Sequence, residues 1–224
     1  MDGVLVIDKP AGPTSHAVVA LVKRLTRVDK IGHLGTLDPA ASGVLPLVIN
    51  GATRHAKRLA GDEKIYEFTL FLGVATDTDD ESGNVISRKI PDGLHFDDLS
   101  RILERFTGRI MQRPPLYSAK KVYGRRACDL SRDGMQFNLL PRPVNVDAIE
   151  IIGGTWPEPR LRLKCRAGTY VRSLCRDLGE ALGCGGHARA IRRLRSGAYI
   201  IDEAVPPEAL KPGSDAWHAY LLPV

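Results

Sequence analysis

Gly32-His33-Leu34-Gly35-Thr36-Leu37-Asp38-Pro39-Ala40-Ala41-Ser42-Gly43 is the stretch around which the chain is organised. Its three glycines permit backbone shapes that other residues resist. Pro39 removes a donor and biases Asp38 toward an extended conformation. Asp38 therefore falls in an irregular polar loop, with a basic helix before it and the apolar run Val44 to Ile49 after it. A carboxylate on a loop backed by apolar structure is a common place for chemistry. An Asp-Pro turn initiator has the same composition.

Working outward toward the N-terminus, Val4 to Ile7 reads as a short apolar strand ended by Asp8-Lys9-Pro10. Thr14 or Ser15 caps a helix whose apolar positions Val18, Leu21, Val22 and Leu25 share one face. Lys23, Arg24, Arg27 and Lys30 crowd its end, where they suit the helix dipole and equally a phosphate backbone.

On the other side, Lys64 to Gly73 alternates, with Tyr66, Phe68, Leu70 and Leu72 on one face of a strand. Thr76-Asp77-Thr78-Asp79-Asp80-Glu81-Ser82-Gly83 is an acidic turn, and it lacks the ligand spacing of a calcium-binding EF-hand. Asp97 or Asp98 opens a helix with Leu99, Ile102, Leu103 and Phe106 inward. From Arg113 to Pro143, basic residues interleave with Tyr117 and Tyr123, as phosphate contact combined with base stacking requires. Prolines at both ends mark this stretch as an excursion from the core, and a solvated loop would have similar composition.

Val144 to Ile151 reads as a strand, and Arg160 to Ala167 as another, with Leu161, Leu163, Cys165 and Ala167 inward and a basic outer face. Gly168-Thr169 starts a helix with Val171, Leu174, Cys175, Leu178 and Leu182 buried; Arg172 sits one residue off that stripe near the helix start, where the dipole disfavours it, so a nearby carboxylate or phosphate would account for it, and a surface arginine is the usual alternative. His187 to Leu194 reads as a short basic helix.

The 224 residues carry a formal charge of +6, which suits an anionic partner, nucleic acid first, and equally an ordinary basic soluble protein. Cys128, Cys165, Cys175 and Cys184 form no CxxC pair, so reduced thiols are expected rather than disulfides or zinc. No leader and no membrane-length apolar stretch is evident, which points to a cytoplasmic protein.

Four separated stretches together resemble one family, the bacterial TruB tRNA pseudouridine synthases. They are Gly32 to Pro39 with Ala41-Ser42-Gly43; Lys64-x-Tyr66 with Leu72-Gly73 and Thr76 to Asp79; Pro114-Pro115-x-Tyr117-Ser118-Ala119-Lys120 with Gly124; and Gly168-Thr169-Tyr170-Val171-Arg172 with Asp177-Leu178-Gly179 and Leu182-Gly183. The opening Gly3-Val4-Leu5 to Asp8-Lys9-Pro10 also fits. Their order and spacing make the match specific.

The resemblance implies an α+β pseudouridine synthase fold, a mixed and mainly antiparallel sheet with surrounding helices. It implies a catalytic domain over 1–205 with an RNA-clamping insertion at 113–143, and a tail at 206–224 without the C-terminal PUA domain of many members. Asp38 matches the essential aspartate, Tyr66 the tyrosine lying against the target base, and Arg172 the arginine that pairs with the aspartate. His33, Asp80, Lys9, Tyr117, Lys120, Tyr170 and Leu194 fall at positions expected to serve substrate binding. Cys128 replaces a tyrosine usual in the clamp. The substrate implied is uridine 55 in the T-arm stem-loop of tRNA, acted on by a monomer with no membrane, obligatory protein partner, metal or cofactor. An RNA-binding or RNA-folding protein with secondary or lost catalysis is the alternative from another class; a guide-RNA-directed subunit and an RNA nucleoside hydrolase are two more.

Overall fold

The computed structural model describes residues 1–224 except Ala119, which belongs to the Pro114 to Lys120 stretch quoted above and lies outside the described residues. In chain order the first elements are β1 (Gly3–Lys9), α1 (Ser15–Thr26), β2 (Ile31–His33), β3 (Ser42–Ile49), α2 (Ala56–Leu59), β4 (Glu63–Leu72), β5 (Val74–Thr76) and β6 (Val85–Arg88). Then come α3 (Phe96–Leu103), β7 (Gly108–Gln112), β8 (Lys121–Val122), β9 (Arg125–Arg126), α4 (Ala127–Arg132), β10 (Arg142–Thr155) and β11 (Glu158–Arg166). The last are α5 (Val171–Ala181), β12 (Gly186–Ser196), β13 (Tyr199–Ile200) and β14 (Leu221–Leu222). The fold class is mixed α+β. The chain divides into two compact units, Met1–Tyr66 with Ala190–Val224, and Glu67–Arg189.

In the first unit the strands run in the order β14-β1-β3-β12, with β2 also on β3 and β13 on β12. β1 is antiparallel to β3 along its whole length, and Val4, Leu5, Val6 and Ile7 are all buried, which is why the run is continuously apolar rather than alternating. β3 contains Pro46, which has no N–H. It stands between the residues that pair with β12 (Ser42 and Gly43) and those that pair with β2 (Leu47 to Ile49), where a missing donor is tolerated. The Thr14 hydroxyl caps α1 by accepting from Ala17 N at 3.0 Å, and Val18 and Val22 are its buried apolar residues. Residues 206–224 are packed into this unit: Leu210 and Trp217 are buried, and β14 pairs with β1.

In the second unit the order is β4-β11-β10-β7. β10 and β11 form one long antiparallel hairpin, with Leu161, Leu163 and Cys165 buried and Arg160, Arg162 and Lys164 exposed. β7 pairs antiparallel with β10, and the last pair is Gln112 with Arg142. The chain between them therefore leaves and returns at one place, and the expected excursion hangs from the end of this strand pair. α5 buries Val171, Leu174, Cys175 and Leu178. Gly179 on that helix meets the 185–186 backbone so closely that a Cβ would collide with it.

Several sequence expectations need correction. His187 to Leu194 is not a helix but most of β12. Its arginines at 189, 192 and 193 have helical spacing, yet each is drawn to a tertiary partner along an extended chain, and such partners override local preference. Arg172 is not a surface arginine; it is 4 % exposed. α3 is capped by His95 rather than Asp97 or Asp98, and Asp98 instead accepts from His95 N at 2.9 Å as the other half of a capping box. Phe106 falls beyond α3 in a short helical turn, Ala167 is exposed, and the strand expected at Val144 to Ile151 runs on to Thr155.

Candidate active site

In the first unit the site is built around the loop between β2 and β3. Asp38 is half-buried in it, and the backbone on both sides is tied down from below. Ser15, buried at the start of α1, donates through Oγ to the Leu37 carbonyl and accepts from Leu37 N, both at 2.9 Å. Lys9, at the end of β1, is fully buried, and its Nζ donates to the carbonyls of Pro10 (2.8 Å), Pro39 (3.2 Å) and Ala41 (2.7 Å). Arg193 of β12, 1 % exposed, donates through Nε to Val44 O at 2.8 Å, through Nη2 to Gly35 O at 3.1 Å and through Nη1 to Thr36 O at 3.4 Å. Gly43 is where β12 presses against the loop; with φ +102 and the Arg193 backbone against it, no side chain fits there. Asp8 and Arg192 span β3 as a bidentate pair at 2.8 and 3.1 Å.

Burial drives the Lys9 pKa from 10.5 down to about 8, with the charge of Arg193 adding to the effect and that of Asp38 opposing it. The His33 pKa is lowered by burial first, then by His16 and Arg193, so its ring is neutral at pH 7. That ring meets His16 edge-on at 5.2 Å between centroids, and its Nδ1 is buried without a hydrogen-bond partner among the described residues. Tyr66 is half-buried near the start of β4.

In the second unit α5 and the acidic turn form a polar cluster. Arg172 donates through Nη1 to Thr78 O at 2.9 Å and through Nη2 to Tyr117 O at 3.0 Å, and its Nη1 lies 3.5 Å from Asp80 Oδ2. Asp80 Oδ1 also accepts from the Thr78 hydroxyl at 2.7 Å and from Ser82 N at 3.0 Å. One turn along α5, Arg176 donates through Nη1 to Asp79 Oδ2 at 2.8 Å and through Nη2 to Arg113 O at 2.9 Å, and it also holds Asp177. Burial pushes Asp79 up to about 6, outweighing the opposing charges of Arg176 and Arg172. Gln112 exchanges hydrogen bonds with the Tyr170 backbone at 2.8 and 3.1 Å, and Ser173 donates to Arg113 O at 2.8 Å.

The sequence model described as TruB family pseudouridylate synthase (N terminal domain) matches residues 23–171, and that of the tRNA pseudouridylate synthase B C-terminal domain matches 172–221. The chain belongs to the TruB family. It is 47 % identical over 211 residues to the tRNA pseudouridine synthase B of Solibacter usitatus, covering 94 % of this chain and 72 % of that one. It is 43 % identical over 229 residues to its namesake in Xanthomonas axonopodis pv. citri, covering 100 % and 74 %. Among solved structures, a Cbf5-Nop10-Gar1 complex contains a similar chain, with a TM-score of 0.70 and 35 % identity, covering 91 % of this chain and 52 % of that one. This TruB-family chain thus spans about half the length of the solved chain it matches.

Of the residues that the TruB resemblance singles out, Lys9, His33 and Asp38 gather at one loop of the first unit. Asp80, Arg172 and the backbones of Tyr117 and Tyr170 gather at the N-terminus of α5 in the second. Lys120 is half-exposed at the base of the insertion and Leu194 half-buried in β12. Lys9, expected to serve substrate binding, directs its ammonium to three loop carbonyls. Sequence reasoning missed Ser15, Arg193, Asp79 and Arg176. Each acts on backbone or side chains far along the chain, and only the Arg-Asp run at 176–177 hinted at an ion pair. Among the described residues no group of three His, Cys, Asp or Glu is placed to hold a metal, and no helix is long and apolar enough to cross a membrane.

Proposed function

We propose that the chain isomerises uridine 55 in the T-arm of tRNA to pseudouridine. One observation carries this reading: in a TruB-family chain, Asp38 rides on a loop fixed by Lys9, Ser15 and Arg193. Holding one carboxylate rigidly is what a single-carboxylate mechanism requires, whereas glycoside hydrolysis normally uses two flanking the bond. The tRNA substrate follows from the relatives named for it.

The target base first leaves its stack, which costs a few kcal/mol (roughly). Asp38, as carboxylate, engages the ribose, the C1′–N1 bond breaks, and the uracil turns within the pocket. C1′ then bonds to C5, C5 gives up its proton and N1 gains one, so the product is an isomer and no co-reactant is needed. Tyr66 supplies a ring face to the uracil and a hydroxyl to receive the C5 proton. Arg172 presents a planar guanidinium, a donor geometry suited to a carboxylate. The neutral ring of His33 packs against the opened loop, and the basic insertion holds the RNA backbone.

Tritium release from tRNA transcript labelled at uridine C5 tests this. Wild type is expected to release tritium without other proteins present, and Asp38→Asn none. Release by both would remove Asp38 from the chemistry, and free uracil as product would mean hydrolysis instead. The likeness to Cbf5 favours one other reading, a subunit that works within a larger assembly. Turnover on bare transcript excludes it.

A further inference from the structure

The insertion is held to itself by contacts within 113–143. Arg125 pairs with Asp133, Arg126 with Asp129 at 2.7 Å, and Ser131 donates to Leu116 O at 3.3 Å. Its tip carries Tyr123, 90 % exposed, between β8 and β9. What ties it to the body of the second unit is its root. Two arginine bridges run there side by side. In one, Asp80 meets Arg172, whose Nη2 takes the Tyr117 carbonyl. In the other, Asp79 meets Arg176, whose Nη2 takes the Arg113 carbonyl. Asp79 is itself anchored, since its carbonyl accepts from Ala188 N of β12 at 3.0 Å. Both arginines are on α5, one helical turn apart, so they share a face. Their carbonyl acceptors lie in a segment with no regular structure of its own, while α5 is seated separately by Val171, Leu174, Cys175 and Leu178.

We infer that Arg176 is a positioning residue for the 113–143 insertion. With Asp79 it fixes the insertion's root on α5, so that the insertion is held in register with the Arg172 guanidinium when RNA is taken up. This rests on the reading of the insertion as an RNA-contacting element. The guanidinium suits the role because its planar fork meets a carboxylate on one side and a carbonyl on the other, a geometry that an ammonium copies only in part.

A double-mutant cycle tests it, read out as binding of an unmodified T-arm stem-loop RNA. One arm is Arg176→Met; the other is the tip pair Lys121→Gln with Tyr123→Ala. Each arm is expected to weaken binding about tenfold, and the two together by much less than the product, because a misplaced root already disables the tip. Arg176→Lys should recover part of the loss. Arg176→Met should also slow a single turnover at saturating RNA, since Arg172 shares the root. Multiplicative effects, or binding within twofold of wild type in either arm, would overturn the inference. If Arg176→Met does not fold, Asp79→Asn takes its place in the cycle under the same criteria. Binding needs no turnover, so a wild type that binds the stem-loop but releases no tritium defeats the proposed reaction and leaves this test standing.

Discussion

The two polar clusters use buried cations in opposite ways. Beneath Asp38, Lys9 and Arg193 direct their hydrogen bonds to main-chain carbonyls, of Pro10, Pro39 and Ala41 in one case and Gly35, Thr36 and Val44 in the other. Around α5, Arg172 and Arg176 meet carboxylates as well, Asp80 and Asp79. Carbonyl dipoles hold a cation without cancelling its charge, whereas a carboxylate partner does cancel it. The first arrangement fixes a loop and leaves positive charge under it. The second fixes geometry with little net field. Removing a cation should therefore act mainly on stability at the first cluster and mainly on function at the second.

The largest effect is expected for Arg193→Met, which strands the buried Val44 carbonyl, releases those of Gly35 and Thr36, and should cost about 3 kcal/mol in urea unfolding. A loss under about 1 kcal/mol would break the comparison, because it would mean that the loop stands without its cation. Arg172→Lys should lower single-turnover activity about 100-fold through misplaced geometry. The same change should cost only about 1–2 kcal/mol of stability, since Asp80 keeps its bonds from Thr78 and Ser82. Near-normal turnover would remove Arg172 from the proposed site.

A third difference lies in pH. The Lys9 pKa falls to about 8 in the folded chain against 10.5 ordinarily. Between those values the unfolded chain holds the proton that the folded chain has released, so this group's contribution to stability rises with pH. Its grip on the loop weakens over the same range, because a neutral amine donates two hydrogens rather than three. Activity should thus decline above pH 8 without a matching fall in Tm, and Lys9→Arg should move that decline upward or abolish activity by crowding. An unchanged alkaline limb in a Lys9→Arg variant that remains active would show that Lys9 does not set it. The smallest effect is reserved for the half-buried Glu67 with the exposed Arg160 and Arg162 on β4 and β11. Glu67→Gln should change stability by about 0.5 kcal/mol or less.

Much of this was legible in the sequence where the cause is local. The continuous apolar run of β1, the capped face of α1 and the alternation of β4 and β11 follow from neighbours within a few residues. The loop around Asp38 announced itself through glycine and proline. What failed was what depends on distant partners. β12 reads as a helix because Arg192 and Arg193 reveal their purpose only beside Asp8 and the Val44 carbonyl, at opposite ends of the chain. Arg172 looks superficial until Thr78 and Tyr117 come to it. Asp79 and Arg176, 97 residues apart, gave no sign of each other.

One pairing also bears on how the protein is made. β1 spans residues 3–9, yet it is bordered by β14 at 221–222, while the second unit is a single uninterrupted segment, 67–189. Emerging from the ribosome, the second unit has all its parts once residue 189 is out, but the first must wait for residues 190–224. During that interval the apolar residues of β1 and β3 have each other but not β12 or β14. The order of synthesis thus leaves the loop bearing Asp38, which needs Arg193 beneath it, among the last features to be completed.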